Sequence, residues 1–124
     1  MKIFLLLVTL IISNLVYAHE FTPTYPKFEP SYVEGILQTK MRIFNKRKDV
    51  EYYELDVYDK DWNPLPFSSN EKIFHVSYLE TKLVDVYIRK ADKDRVVYIC
   101  TSSKLISKDN SATLISSKIC SKVK

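Results

Sequence analysis

Glycine is almost absent from this 124-residue chain, which has only one, Gly35. Phosphate-binding loops of the glycine-rich kind need several glycines so that the backbone can approach the ligand, and the sequence therefore excludes them. Cysteine and histidine are also scarce, with two of each. Two histidines are a sparse ligand set for a metal. The longest apolar run, residues 3–12, is too short to cross a bilayer as a helix.

The chain also has no large excess of charge of either sign, because it has 19 basic and 15 acidic residues and a formal net charge of +4. The excess is scattered, which is typical of a lysine-rich soluble surface and predicts no nucleic-acid partner. Glu54, Asp56, Asp59 and Asp61 lie close together, and paired carboxylates can hydrolyse glycosides. A strand that turns its charged residues outward explains them as well, so we predict that the protein is not an enzyme.

The N-terminus has the three parts of a secretory signal peptide. Lys2 supplies the positive charge, residues 3–12 form the apolar region, and small side chains precede a cleavage point after Ala18. We predict a signal peptide over residues 1–18 and one domain over residues 19–124, periplasmic or secreted and not inserted in the membrane after cleavage. A membrane anchor is the alternative, and the short apolar run argues against it.

Alternation of apolar and polar side chains dominates the rest of the sequence. A period of two is typical of strands with one buried face, and turn residues separate the segments. These segments are residues 36–45, 50–59, 73–79 and 83–89, followed by a pair of strands near the C-terminus. The pattern predicts an all-β protein, an immunoglobulin-like antiparallel β-sandwich of about seven strands, with a closed barrel as the alternative.

The last 30 residues hold both cysteines, Cys100 and Cys120, on either side of a turn signal centred on Asn110. A hairpin folded about Asn110 puts the two cysteines opposite each other and gathers the apolar residues on the other face. Only one pairing is possible, and an exported protein meets an oxidising compartment. The sequence therefore predicts a Cys100–Cys120 disulfide that joins the two strands across the solvent-side face.

Several stretches resemble the N-terminal domain of the periplasmic chaperones of pili and capsules. They are FEPSYVEGILQTKMRIFN, VEYYELDVYDKDWNPLPF, RVVYIC and KICSK. Their order is similar to the branch of that family in which a disulfide joins the last two strands and a long loop separates them. The sequence ends where that family continues into a second domain, so we expect only the first domain here.

The resemblance implies a function in assembling a surface appendage, such as a pilus, a fimbria or a conjugation apparatus. Members of the family lend alternating apolar residues of the last strand to an incomplete subunit. Leu114 and Ile115 fall in that strand here. A basic pair binds the carboxylate at the end of the subunit, and Lys122 has the place of the family's lysine. Lys27 is the basic residue nearest to the place of the family's arginine.

Two other functions stay open at this stage. The protein could be an exported binding module or inhibitor whose partner is an envelope protein. It could also be a periplasmic copper-binding protein, because cleavage after Ala18 would leave His19 at the N-terminus, where amine and imidazole can chelate copper with His75. Copper is the one candidate cofactor, and otherwise we expect none.

Overall fold

The computed structural model describes residues 18–104 and 116–124. In these residues the chain forms nine β-strands and one short 3-10 turn, Lys90–Asp92. The strands are β1 (Glu20–Thr22), β2 (Glu29–Pro30), β3 (Ile36–Phe44), β4 (Tyr52–Tyr58), β5 (Ser68–Ser69), β6 (Ile73–His75), β7 (Thr81–Arg89), β8 (Tyr98–Lys104) and β9 (Lys118–Lys122). Residues 18–104 and 116–124 contain no helical segment that could span a bilayer.

The strands form two antiparallel sheets that pack face to face. One sheet has the order β1-β3-β7-β5, with β2 also pairing with β3, and the other has the order β6-β4-β8-β9. The predicted all-β sandwich is therefore confirmed. Nine strands appear rather than about seven because proline-rich and loop segments contribute pairs only two or three residues long, β1, β2 and β5.

The core lies between the sheets and comes from the predicted alternation. In β3, Leu37, Met41 and Ile43 point inward, and the antiparallel register sets them against the inward residues of β7. Every second side chain of a strand shares a face, so one apolar stripe per strand suffices to build this core. The buried apolar residues are Phe21, Phe28, Leu37, Met41, Ile43, Val50, Tyr53, Leu55, Val57, Leu65, Phe74, Val76, Val84, Val86, Ile88, Val96 and Ile99.

Asn45, directly after β3, is fully buried and connects three segments at one end of the sandwich. Its Nδ2 donates to the carbonyls of Val50, at 2.7 Å, and Val76, at 2.9 Å. Its Oδ1 accepts from the backbone N–H of Arg47 and, at 2.6 Å, from the hydroxyl of Tyr53. All the side-chain polar atoms of this amide are thus satisfied, as burial requires.

The strand predicted for residues 73–79 is shorter in the structure and ends at His75. The backbone of Asn45 causes this, because its carbonyl accepts from Leu79 N–H and its N–H donates to the carbonyl of Glu80. Leu79 adopts a left-handed conformation, with φ 61°, to make that contact. The chain after His75 therefore turns toward β7 instead of continuing in the sheet.

Candidate functional site

The β8–β9 pair brings the two cysteines together as predicted. Cys100 and Cys120 are direct register partners, and their sulfurs form a disulfide with the Cα atoms 4.1 Å apart. The predicted pairing is confirmed, whereas the turn centred on Asn110 lies outside the described residues. The disulfide was expected on the solvent-side face, and Cys100 does lie on the outer face of the sheet, but it is completely buried.

Side chains on that outer face cover the disulfide. Lys118 reaches across it, with its Nζ 4.4 Å from the ring centre of Tyr58 and 3.4 Å from the Tyr58 hydroxyl. Trp62 stacks flat on Tyr98, the residue two before Cys100. The turn that carries Trp62 therefore lies beside the outer face.

Lys122, two residues after Cys120, lies on an exposed and well-connected strand end. Its N–H donates to the carbonyl of Thr24 at 3.0 Å, and the next residue, Val123, donates to the carbonyl of Val97 at 2.8 Å. The end of β9 is therefore held on both sides by backbone hydrogen bonds. The side chain of Lys122 is exposed and forms no ion pair with any residue that the structure describes.

Lys27, the second member of the expected basic pair, lines a different place. It borders a cavity of about 210 Å³ together with Lys93, Asp94 and Lys124, and Lys122 is not part of that lining. The structure therefore does not assemble Lys27 and Lys122 in one pocket. Leu114 and Ile115, the predicted donor residues, lie outside the described residues, so their role stays a prediction.

His19 is buried inside the sandwich, which no pattern in the sequence predicted. Its Nε2 lies 2.9 Å from Thr101 Oγ1, its Nδ1 lies 3.0 Å from Ser117 Oγ, and its ring packs on Tyr53. Burial lowers the pKa of His19 to about 4, and the positive charge of Arg47 acts in the same direction. The imidazole is therefore neutral at pH 7 and joins β1 to β8 and the start of β9.

The two histidines of the copper hypothesis lie on opposite faces of the four-stranded sheet. His75 is the register partner of Tyr52 and packs against it, whereas His19 packs on Tyr53, whose side chain points the other way. The Nε2 of His75 lies 3.6 Å from a Glu51 carboxylate oxygen. The described residues contain no cluster of three or more metal-binding side chains. The structure does not bring His19 and His75 together, and copper binding stays an untested prediction.

The carboxylates that might have suggested an enzyme are engaged separately. Glu54 accepts a 2.7 Å bond from Lys104 on the outer face. Asp59 accepts three hydrogen bonds within its own turn, which lowers its pKa. Asp56 lies beside the disulfide, where burial and the nearby Glu54 raise its pKa. Each of these three carboxylates therefore has its own partners or environment, as is typical of strand and turn residues.

Comparison with known proteins gives matches among solved structures alone. No protein-family model matches the chain, and no curated protein matches it. The E. coli chaperone DraB is similar in structure, with a TM-score of 0.63 and 15% identity over 86% of this chain and 53% of DraB. The ASH/PapD-like domain 7 of human CEP192 is also similar, with a TM-score of 0.54 and 9% identity over 90% of this chain and 92% of that domain.

The chain has a PapD-like fold. This confirms, at the level of the fold, the resemblance to chaperone domains that the sequence suggested. The chain spans about half the length of DraB and nearly all of the CEP192 domain. At these identities the likeness concerns the fold, and function has to be argued from the chain's own residues.

Proposed function

We propose that this protein is a periplasmic chaperone-like or accessory protein that binds subunits of a surface appendage during assembly. The appendage is a pilus, a fimbria or a conjugation apparatus. The observation that carries the proposal is the β8–β9 pair of a PapD-like sandwich, stapled by Cys100–Cys120 and ending in the exposed Lys122. A disulfide of this kind suits an exported protein, because the periplasm keeps it oxidised.

In the proposed mechanism, the chain before β9 adds a strand to an incomplete subunit. Main-chain hydrogen bonds supply affinity in this mode, and alternating side chains supply specificity. Leu114 and Ile115 are the candidate side chains, and the Lys122 ammonium is the candidate ligand for the carboxylate at the subunit's end. The disulfide supports this role by fixing the strand on which Lys122 lies, so that the ammonium starts from a defined position.

Photocrosslinking in the protein's own host tests this proposal. A photoreactive residue at position 115 or 122 should form adducts with one exported subunit, identified by mass spectrometry. Position 40 is the matched control, because Lys40 is exposed but lies on the other sheet. Equal adducts at positions 40 and 122, or adducts with cytoplasmic proteins alone, would contradict the proposed site.

The compartment has a separate test. If residues 1–18 are a signal peptide, intact-mass measurement of protein recovered from the envelope should give a chain that begins at His19. A membrane-bound species that still begins at Met1 would contradict export with cleavage. The same preparation shows whether the protein is released with the periplasmic fraction.

A further inference from the structure

The turn after β4 holds Trp62 in a conformation that a large side chain rarely adopts. Trp62 has φ 64°, in the left-handed region that favours glycine and asparagine. The side chain of Asp59 fixes the turn, because its Oδ1 accepts from the N–H groups of Asp61 and Asn63, both at 2.9 Å. Trp62 N–H itself donates to the Asp59 carbonyl at 3.1 Å.

This turn places the indole ring on the outer face of the four-stranded sheet. The ring lies on Tyr98 with the centroids 4.1 Å apart and an angle of 3° between the planes. Tyr58 borders it at 5.8 Å, and the Nζ of Lys118 lies 5.6 Å from the indole centroid. The orientation of the indole is thus set by its neighbours, yet 49% of the side chain is exposed.

An exposed tryptophan at such a position needs a reason. A left-handed backbone is unfavourable for a non-glycine residue, and the exposed half of the indole gains nothing by burial. Asparagine would fit the turn without that cost. Residues held in unfavourable conformations are concentrated at binding sites, where the fixed geometry is part of recognition. The left-handed φ of Trp62 is therefore consistent with a ligand-binding role for its side chain.

The charges around the ring define what that ligand can be. Tyr98 is the register partner of Tyr58 on one side and of Lys122 on the other. The backbone of Lys122 therefore lies next to Tyr98, the residue on which Trp62 is stacked. Lys118 lies on the other side, partly balanced by Asp56, and the carboxylate of Asp59 in the same turn is engaged by its own hydrogen bonds. Two ammonium groups beside an aromatic face repel cations and attract carboxylates.

Backbone pairing argues for a sugar rather than a peptide. Tyr58 and Tyr98, the two rings beside the indole, lie on β4 and β8, which are inner strands whose N–H and C=O groups are already paired in the sheet, whereas the two lysines lie on the edge strand β9. A peptide laid across the aromatic rings would find no free sheet edge there, which is how extended peptides usually gain affinity. A pyranose ring needs only one flat aromatic surface for its C–H face, while its hydroxyls stay in water.

We propose that Tyr58, Trp62, Tyr98, Lys118 and Lys122, here called the Trp62 patch, bind an acidic sugar of the hexuronate class. The sugar ring stacks on the indole, and its carboxylate pairs with the lysine ammonium groups. This inference shares Lys122 with the proposed chaperone function but does not depend on it, because its test uses the purified protein without any subunit.

The test uses the fact that Trp62 is the chain's single tryptophan. Trigalacturonate should change its fluorescence in a saturable way, and neutral galactotriose should bind more weakly. Raising the salt concentration should remove much of this preference, because the carboxylate contacts are exposed. By calorimetry, Trp62→Asn should weaken trigalacturonate binding about tenfold, as expected when one aromatic contact is lost.

Two variants control for folding and for the loss of an exposed aromatic ring elsewhere. Trp62→Asn suits the left-handed turn but loses the stacking on Tyr98, so cooperative thermal unfolding is the check that this variant is folded. Tyr32→Ala removes a fully exposed aromatic ring far from the patch and should bind trigalacturonate normally. The proposal is overturned if no fluorescence change occurs, if galactotriose binds as well as trigalacturonate, or if an acidic Glu-Tyr peptide binds better than both. Trp62 would then serve only to cover the disulfide.

Discussion

His19 Nε2 lies 2.9 Å from Thr101 Oγ1, so a residue at the beginning of the sandwich domain is bonded to a strand 82 positions away in the sequence. The imidazole also contacts Ser117 and Tyr53, and all of its polar atoms have partners. The neutral ring is thus an interior link between the two sheets at the edge where β1 meets β9.

This burial predicts an acid-sensitive fold. The pKa of His19 is 6.5 in an unfolded chain and about 4 in the folded one, so the unfolded state binds more protons between these values. Stability is then complete above about pH 6.5 and decreases as the pH falls toward 4, by up to about 3 kcal/mol. Urea unfolding at pH 7 and pH 4.5 measures this loss.

His19→Gln is the control for that prediction, because glutamine keeps polar atoms and does not titrate. Asp49, whose pKa the Arg47 hydrogen bond lowers, loses its contribution only below about pH 4 and leaves this window almost unaffected. The wild type should therefore lose more stability than the variant between pH 7 and pH 4.5. Parallel losses would show that another group causes the acid sensitivity.

The disulfide should be a main source of stability. Closing the loop between Cys100 and Cys120, 20 residues apart, is expected to stabilise the fold by about 3 kcal/mol in the chain-entropy model. Replacing both cysteines with alanine should lower the melting temperature by about 4–8 °C for each kcal/mol lost. An unchanged melting temperature, or free-thiol labelling of both cysteines in native protein, would contradict the assignment.

Asn45 and Tyr53 allow a graded test of the buried polar cluster. Asn45→Ala removes four hydrogen bonds and leaves two buried carbonyls without their donor, so a loss of about 3 kcal/mol or more is expected. Tyr53→Phe removes one bond and leaves Asn45 Oδ1 with a second partner, so a loss of about 1–2 kcal/mol is expected. Equal losses in urea unfolding would show that Asn45 is not the centre of the cluster.

Local patterns in the sequence predicted much of the fold. Alternation in residues 36–45 identified the inward face of β3, and one turn signal at Asn110 predicted the register that pairs Cys100 with Cys120. Both depend on neighbours along a strand or across one hairpin. The strand at residues 73–79 was predicted too long because the backbone of Asn45, some 30 positions earlier, ends it after His75.

The candidate sites were harder to predict because they depend on distant contacts. The buried ring of His19 depends on hydrogen bonds with Thr101 and Ser117, and no pattern near residue 19 predicts these contacts. The turn that carries Trp62 did have a signal in the sequence, because an aspartate in a loop, such as Asp59, is typical of a turn in which its side chain accepts from the backbone two residues later. The stacking of Trp62 on Tyr98 could not be predicted without the sheet register.

Lys122 offers the most direct test of the proposed subunit binding. The subunit found by crosslinking is purified, and its affinity is measured for the wild type, Lys122→Ala and Lys40→Ala. Lys40→Ala removes the same charge from the other sheet. Lys118→Ala is unsuitable as a control because Lys118 contacts Tyr58. We expect Lys122→Ala alone to weaken binding about ten- to a hundredfold, because one charge-assisted contact is lost. Equal affinities for all three proteins, or equal weakening by both variants, would contradict this expectation.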